Sequence, residues 1–289
     1  MNSAAWLAKA ESLLKERGVP EPGASAEFLL AEVLGVGRGE AVFQATRQLT
    51  QKQAYNFWDW VKERSRRVPL AYIIGSQPFL GLKILVSRDC LIPRPETEEL
   101  ALECERLVKS LQVPAPQHIK ILEIGTGTGC IAIVLAQLLP QATVFATDVS
   151  DKALRLAEKN AVALQVHSRI RFVREDLFSD KPALHGWADL LVSNPPYIPT
   201  GDLDTLEPEV LCEPRLALDG GKDGLDAIRA IVAAAPKMLK VGGFLALEIE
   251  HRQGPAIMKL LRAAGFSGVL VKKDASGHDR FAFSRKMVD

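Results

Sequence analysis

From residue 118 onward, short apolar runs alternate with segments of helical period, and this alternation limits the fold more than any other feature of the chain. The runs at 119–124, 143–147, 170–174, 189–193, 244–248, 269–273 and 280–284 have strand length and strand composition. Segments at 130–139, 152–164, 225–239 and 253–264 carry the helical pattern. Strands that alternate with helices build a mostly parallel sheet with helices over both faces. The expected class is α/β. No internal repeat or low-complexity tract breaks the pattern.

The first part of the chain is different. Residues 1 to about 74 read as helices, with Leu7, Leu13 and Leu14, and then Phe28, Leu29, Val33 and Leu34, near helical spacing. Ser25 is expected as an N-cap. The run Lys62-Glu63-Arg64-Ser65-Arg66-Arg67 is read as a solvated last turn favoured by the helix dipole, with a docking patch for an acidic or RNA-rich partner as the alternative. Residues 75–92 alternate in polarity, place Gly81 at a turn and look like a β-hairpin connector. Pro93-Arg94-Pro95-Glu96 then starts a helix expected to reach about Leu111. The expected division is a helical region at 1–74, a hairpin at 75–92 and a large α/β domain at 93–289.

Composition excludes several classes. The 36 basic and 35 acidic residues leave a net charge of +1, so no global basic field points to nucleic acid. The four cysteines are far apart and the five histidines are scattered, which argues against a disulfide framework or a metal site. The N-terminal MNSAAWLAKAE does not read as a signal peptide, and the apolar run IAIVLAQLLP is too short to span a bilayer. No membrane association is expected, and the expected location is the cytoplasm. Nothing suggests an obligate oligomer, so a monomer is expected.

Between the strand at 119–124 and the helix after it lies Gly125-Thr126-Gly127-Thr128-Gly129. Glycines let the backbone approach a ligand and take positive φ, and the following helix offers free N–H groups. A second strand ends near Asp148, 23 residues after Gly125, where an acid can accept from the two hydroxyls of a ribose. A dinucleotide fingerprint is GxGxxG, whereas Cys130 occupies the third glycine position of that pattern here. A tight turn with no ligand is the plain alternative. Glu123-x-Gly-x-Gly-x-Gly with a downstream Asp resembles the loop of S-adenosylmethionine binders. Asp176, after the next strand, is then placed to accept from an adenine amino group, or else caps a helix.

Asn194-Pro195-Pro196-Tyr197 follows the apolar strand at 189–193. Proline pushes the residue before it to extended angles and fixes its own φ. The loop therefore holds side chains still at the carboxyl end of a strand, where open α/β sheets bind ligands. An amide or aromatic amine is a poor nucleophile, because its lone pair is delocalised. Its NH2 offers two donors, which the Asn194 carbonyl and the Pro195 backbone carbonyl can accept. The lone pair is then free to face an electrophilic methyl group, and the acceptors stabilise charge that develops on nitrogen. Tyr197 can pack against the planar group or face a sulfonium. A rigid surface loop is the plain alternative.

The ordered set is narrower than either motif. Gly75-Ser76-Gln77-Pro78-Phe79, IPRPETEEL (92–100), LEIGTGTGC (122–130), NPPYIP (194–199), EPRLALDGGKDGL (213–225), LEIEHRQG (247–254) and DASGHDRF (274–281) resemble the HemK/PrmC family. That family comprises the protein-(glutamine-N5) methyltransferases of peptide-chain release factors. The resemblance implies a class I S-adenosylmethionine-dependent methyltransferase fold. Its Rossmann-like sheet would have seven mostly parallel strands and an antiparallel edge strand, with a small helical bundle in front. It implies transfer of methyl from S-adenosylmethionine, with S-adenosylhomocysteine as product, to the glutamine of the Gly-Gly-Gln loop of class I release factors. Glu123 with Gly125, Thr126, Gly127, Thr128 and Gly129 would cradle the methionine end, and Asp148 would hold the ribose. Asp176 would lie at the adenine, followed by Leu177 where some members carry an aromatic. Asn194, Pro195, Pro196 and Tyr197 would hold the glutamine amide. Arg94 would lie near the pocket, and the N-terminal helices would dock the release factor. DNA adenine-N6 methyltransferases also use NPPY, but would need a basic groove and a target-recognition region. A non-catalytic S-adenosylmethionine binder is disfavoured by the intact Asn194, Asp148 and glycine loop.

Overall fold

In the computed structural model, which describes residues 1–44, 46–111, 118–175 and 182–287, the chain forms two compact units. One comprises Met1–Ser76 with Leu206–Cys212, and the other Gln77–Thr205 with Glu213–Asp289.

The first unit holds α1 (Ser3–Glu16), α2 (Pro22–Leu34), α3 (Arg38–Phe43), α4 (Gln51–Ser65) and α5 (Leu70–Ile74). Leu14, Leu29, Leu30, Phe57 and Val61 are fully buried among them, and Trp6 meets Phe57 edge-on. α4 begins with a complete capping box, Thr50 and Gln53 each accepting from the other's backbone N–H. Two expectations change here. Ser25 is not an N-cap; Pro22 takes the first helical position of α2, Glu21 precedes it, and Ser25 lies inside the helix. The basic end of α4 is not a solvated turn. Arg64 is buried, and with Arg67 it clasps Glu209 from the returning segment 206–212, at 2.7 and 2.6 Å. A helix end could not show that two of its cations have a carboxylate partner about 140 residues away.

The second unit opens with a hairpin of β1 (Ser76–Phe79) and β2 (Leu82–Leu85). Leu80 and Gly81 both have positive φ, 47° and 79°, the backbone of a tight two-residue turn matched to strand twist. Residues 86–92 continue without strand structure, so the hairpin is shorter than the alternation suggested. α6 (Pro95–Ser110) follows, with proline at its first position and Glu96 and Glu98 in its first turn.

The main sheet then forms from β3 (Ile119–Ile124), β4 (Ala142–Asp148), β5 (Ile170–Arg174), β6 (Ala188–Ser193), β7 (Leu239–Glu248), β8 (Phe266–Lys273) and β9 (Asp279–Lys286). Its order is β5-β4-β3-β6-β7-β9-β8. The five strands from β5 to β7 are parallel. β9 runs antiparallel to both β7 and β8, so the reversed strand lies one place in from the rim. α7 (Cys130–Leu138), α8 (Asp151–Ala163), α9 (Asp226–Met238) and α10 (Gly254–Ala263) are the helices between the strands. The strand period of two splits β3 between two cores: Ile119 and Ile121 pack with α6 and α7, Leu122 and Ile124 with α9 and α10. Chain order reverses beside β3, and the carboxyl ends of β3, β4 and β6 open there onto one cavity.

Candidate active site

The cavity holds about 680 Å³ and is lined by Glu123, Gly125, Thr126, Gly127, Thr128, Asp148, Asn194 and Pro196, among others. Its floor is the glycine loop. Gly125, Gly127 and Gly129 take φ of 72°, 56° and 81°, values that favour glycine. A Cβ on Gly125 or Gly127 would meet nothing within 4 Å, so these two leave open space for a ligand. Gly129 does something else and is not on the cavity wall. A Cβ there would lie 3.0 Å from the Ala157 side chain, so Gly129 lets α7 approach α8.

The loop is braced from three sides. Glu123 accepts from the Thr126 hydroxyl at 2.6 Å and from the backbone N–H of Ala132 in the first turn of α7. Burial raises the Glu123 carboxyl to about 8, although those two hydrogen bonds pull the other way. Asn160 of α8 donates to the Thr128 carbonyl at 2.9 Å and pairs with the backbone of Leu85, tying the hairpin to the loop. Asp148 accepts from Gly127 N–H and Ser150 N–H, both at 2.9 Å. Burial raises its carboxyl, against the pull of these backbone bonds. A carboxylate has about four lone-pair positions, so these bonds and a further one from the Val149 backbone still leave Asp148 a place to accept from a hydroxyl. Asp176 and Leu177 lie outside the described residues; Glu175, just before them, is on the cavity wall.

Asn194 faces the loop from the end of β6, where Ser193 anchors the strand by donating to the Ile124 carbonyl at 2.7 Å. The following loop is braced by residues to which the sequence assigned no role. Ile198 exchanges backbone bonds with the 213–225 segment: its N–H donates to the Leu218 carbonyl at 3.0 Å, and its carbonyl accepts from Gly220 N–H at 2.8 Å. Gln253 donates to the carbonyls of Tyr197 and Gly224 at 3.0 and 3.1 Å. A Cβ on Gly224 would sit 2.2 Å from the Tyr197 carbonyl oxygen, which explains the glycine. Thr97 of α6 accepts from Asn194 Nδ2 at 3.1 Å and donates to Glu248 Oε2 at 2.7 Å. Tyr197 donates its hydroxyl to Glu248 Oε1 at 3.3 Å. Burial first, and the Glu248 charge second, push the Tyr197 phenol above its ordinary range, so it stays a donor. Thr97, Glu248 and Gln253 all sit in stretches that carry the family resemblance, which was the available signal.

The remaining candidates fall just outside the cavity wall. Pro195 is buried, and the Tyr197 ring packs with the α9–α10 core. Arg94 is ion-paired with buried Glu213, which also accepts from Ile92 N–H at 2.8 Å. Cys90 and Cys130 do line the cavity, but burial pushes both thiols up to about 12 and neither is a ready nucleophile. Among the described residues no group of three His, Cys, Asp or Glu could hold a metal, and no helix is long and apolar enough to cross a membrane.

This arrangement fits a ligand with an amino-acid end, a ribose and a base: an open glycine loop, a carboxylate with a spare acceptor position, and an acceptor group opposite. Comparison with known proteins agrees. Residues 5–75 match the PrmC N-terminal domain and residues 102–218 the methyltransferase small domain. A release factor glutamine methyltransferase of Caulobacter vibrioides is 39% identical over 98% of this chain and 95% of its own. One from Chlorobaculum tepidum is 44% identical over 92% and 90% of the two chains. A methyltransferase structure from Pyrococcus furiosus, 21% identical, superposes with a TM-score of 0.55 over 78% of this chain and 99% of its own, and shows the shared fold.

Proposed function

The chain belongs to the release factor glutamine methyltransferases, and on that premise we propose that it methylates the side-chain amide nitrogen of the glutamine in the Gly-Gly-Gln loop of class I release factors. The observation that carries this reading is the placement of Asn194 on the same cavity as the glycine loop and Asp148. S-adenosylmethionine supplies an electrophilic methyl carbon on a sulfonium sulfur and leaves as S-adenosylhomocysteine. Gly125 and Gly127 give its methionine end backbone access, Glu123 holds the loop in shape, and Asp148 accepts from the ribose.

Asn194 Oδ1 and the Pro195 carbonyl accept the two N–H bonds of the glutamine amide and turn its lone pair toward the methyl. As positive charge grows on nitrogen, these fixed dipoles stabilise it without reorganising. The proton leaves for solvent after transfer, so no strong base is needed, and among the described residues no histidine lies on the cavity wall. Proline at 195 and 196, Gln253 and Gly224 keep the clamp rigid, as near-attack geometry requires. The helical unit is the docking surface for the rest of the release factor. The cytoplasm, where that substrate is found, is the proposed location.

Labelled S-adenosylmethionine mixed with the protein and either a release factor or duplex DNA tests this reading. Label is expected on the release factor, and on none in which the loop glutamine has been replaced. Label on DNA alone would make the chain an adenine methyltransferase instead.

A further inference from the structure

The two ends of the Asn194 carboxamide have the same shape, and only its neighbours decide which end faces the cavity. Resting on the reading of Asn194 as the acceptor for a substrate NH2, we propose that Glu248 and Thr97 are positioning residues. They fix the direction of each hydrogen bond leading to Asn194 and so present its carbonyl, rather than its own NH2, to the substrate.

Three elements meet here: Glu248 ends β7, Thr97 lies in the first turn of α6, and Asn194 follows β6. An ionised carboxylate can only accept. The Thr97 hydroxyl therefore donates to Glu248 Oε2, at 2.7 Å. A hydroxyl has a single proton, and with that proton spent on Glu248 its oxygen can only accept on the Asn194 side. It accepts from Asn194 Nδ2 at 3.1 Å, which leaves Oδ1 as the free end. Tyr197 occupies the second oxygen of Glu248 and so keeps the carboxylate from rotating away from Thr97. Thr97 and Glu248 are both buried, so solvent does not make good a bond that points the wrong way. The reversed amide would set NH2 against NH2, donor against donor, and forfeit the clamp.

The charge on Glu248 is what sets the direction. Burial raises this carboxyl to about 7; Thr97, Arg280 of β9 and Tyr197 pull it down, and Glu96 of α6 pushes it up. Arg280 is itself held by Asp274 at 3.2 Å. As pH falls through about 7, Glu248 gains a proton and can donate to Thr97. The hydroxyl then has no obligatory direction, and Asn194 loses its bias.

The test is steady-state turnover on a release factor from pH 6 to 9, with S-adenosylhomocysteine affinity measured in parallel, on wild type, Asn194→Ala, Thr97→Val and Thr97→Ser. Thr97→Val leaves the Glu248 carboxyl in place but removes the hydroxyl that relays its direction to Asn194. It is expected to lower kcat about three- to tenfold, the worth of one orienting hydrogen bond, and to leave cofactor affinity unchanged. It should also abolish the acid limb near pH 7 that is expected of wild type. Thr97→Ser should restore both kcat and the limb. If Asn194→Ala is inactive while Thr97→Val turns over like wild type, or keeps the acid limb, the relay is wrong and the Asn194 clamp survives. A parallel loss of cofactor affinity in Thr97→Val, or no rescue by serine, means a packing role and also overturns the relay. Wild-type turnover in Asn194→Ala removes the clamp and the relay together.

Discussion

Asn194 and Glu123 do separate work in one cavity, and their substitution should separate the two ligands. On the proposed function, Asn194→Ala removes an acceptor that matters as charge develops on the substrate nitrogen. Turnover is expected to fall by roughly two to three orders of magnitude, the usual loss for one such group, with S-adenosylhomocysteine affinity nearly unchanged. Glu123→Ala leaves the Thr126 hydroxyl and the Ala132 N–H without their acceptor beneath the glycine loop. An unmet buried donor costs about 1–3 kcal/mol, so cofactor affinity should weaken by roughly ten- to a hundredfold in a calorimetric titration. Asn194 was legible in the sequence because two prolines fix it after an apolar strand. Thr97 and Glu248 were not, because their meaning lies in three elements, far apart in the chain, converging on one side chain.

At the scale of elements, glycine by itself says little until its surroundings are known. Gly125 and Gly224 have nearly the same φ, 72° and 74°, yet alanine should fail differently at each. At Gly125 the added methyl points into open space, so the cost is backbone strain of about 1–2 kcal/mol and a methyl intruding into the cavity. At Gly224 it would strike the Tyr197 carbonyl and the Gln253 amide, at 2.2 and 2.7 Å. Gly224→Ala is expected to lower the melting temperature by several degrees and turnover with it, since a clash of this kind costs about 2–4 kcal/mol. A melting point unchanged in Gly224→Ala would show that the Tyr197 loop can shift freely. The strand–helix alternation was legible throughout the second unit, with β3 and β5 falling where the apolar runs placed them. The position of β9 inside the sheet was not, because apolar runs carry no record of strand direction.

For the molecule as a whole, Glu209 ties chain stability to pH. Burial would raise its carboxyl, but hydrogen bonds from Arg67 and then Arg64 outweigh burial and bring it down to about 2. Because the folded value lies below the unfolded one, this stabilisation is present above about pH 4.5 and is lost as pH falls toward 2. It is worth at most about 3 kcal/mol at neutral pH. Urea unfolding of wild type and Glu209→Gln should differ by that order at pH 7 and converge near pH 2. A constant difference across that range would mean that Glu209 acts through packing. The basic run at the end of α4 predicted none of this, since a run of cations looks the same whether it is solvated or clasped.

The seven residues 206–212 fold with a unit whose other members end at Ser76. A unit made of two chain segments is not a cassette. Recombination that exchanged residues 1–76 for another helical bundle would bring a new surface to an unchanged Glu207 and Glu209, and a cut at residue 76 would strand both. Changes in the helical unit are therefore expected to spread through a lineage together with changes near Glu209, as compensating pairs rather than as wholesale exchange.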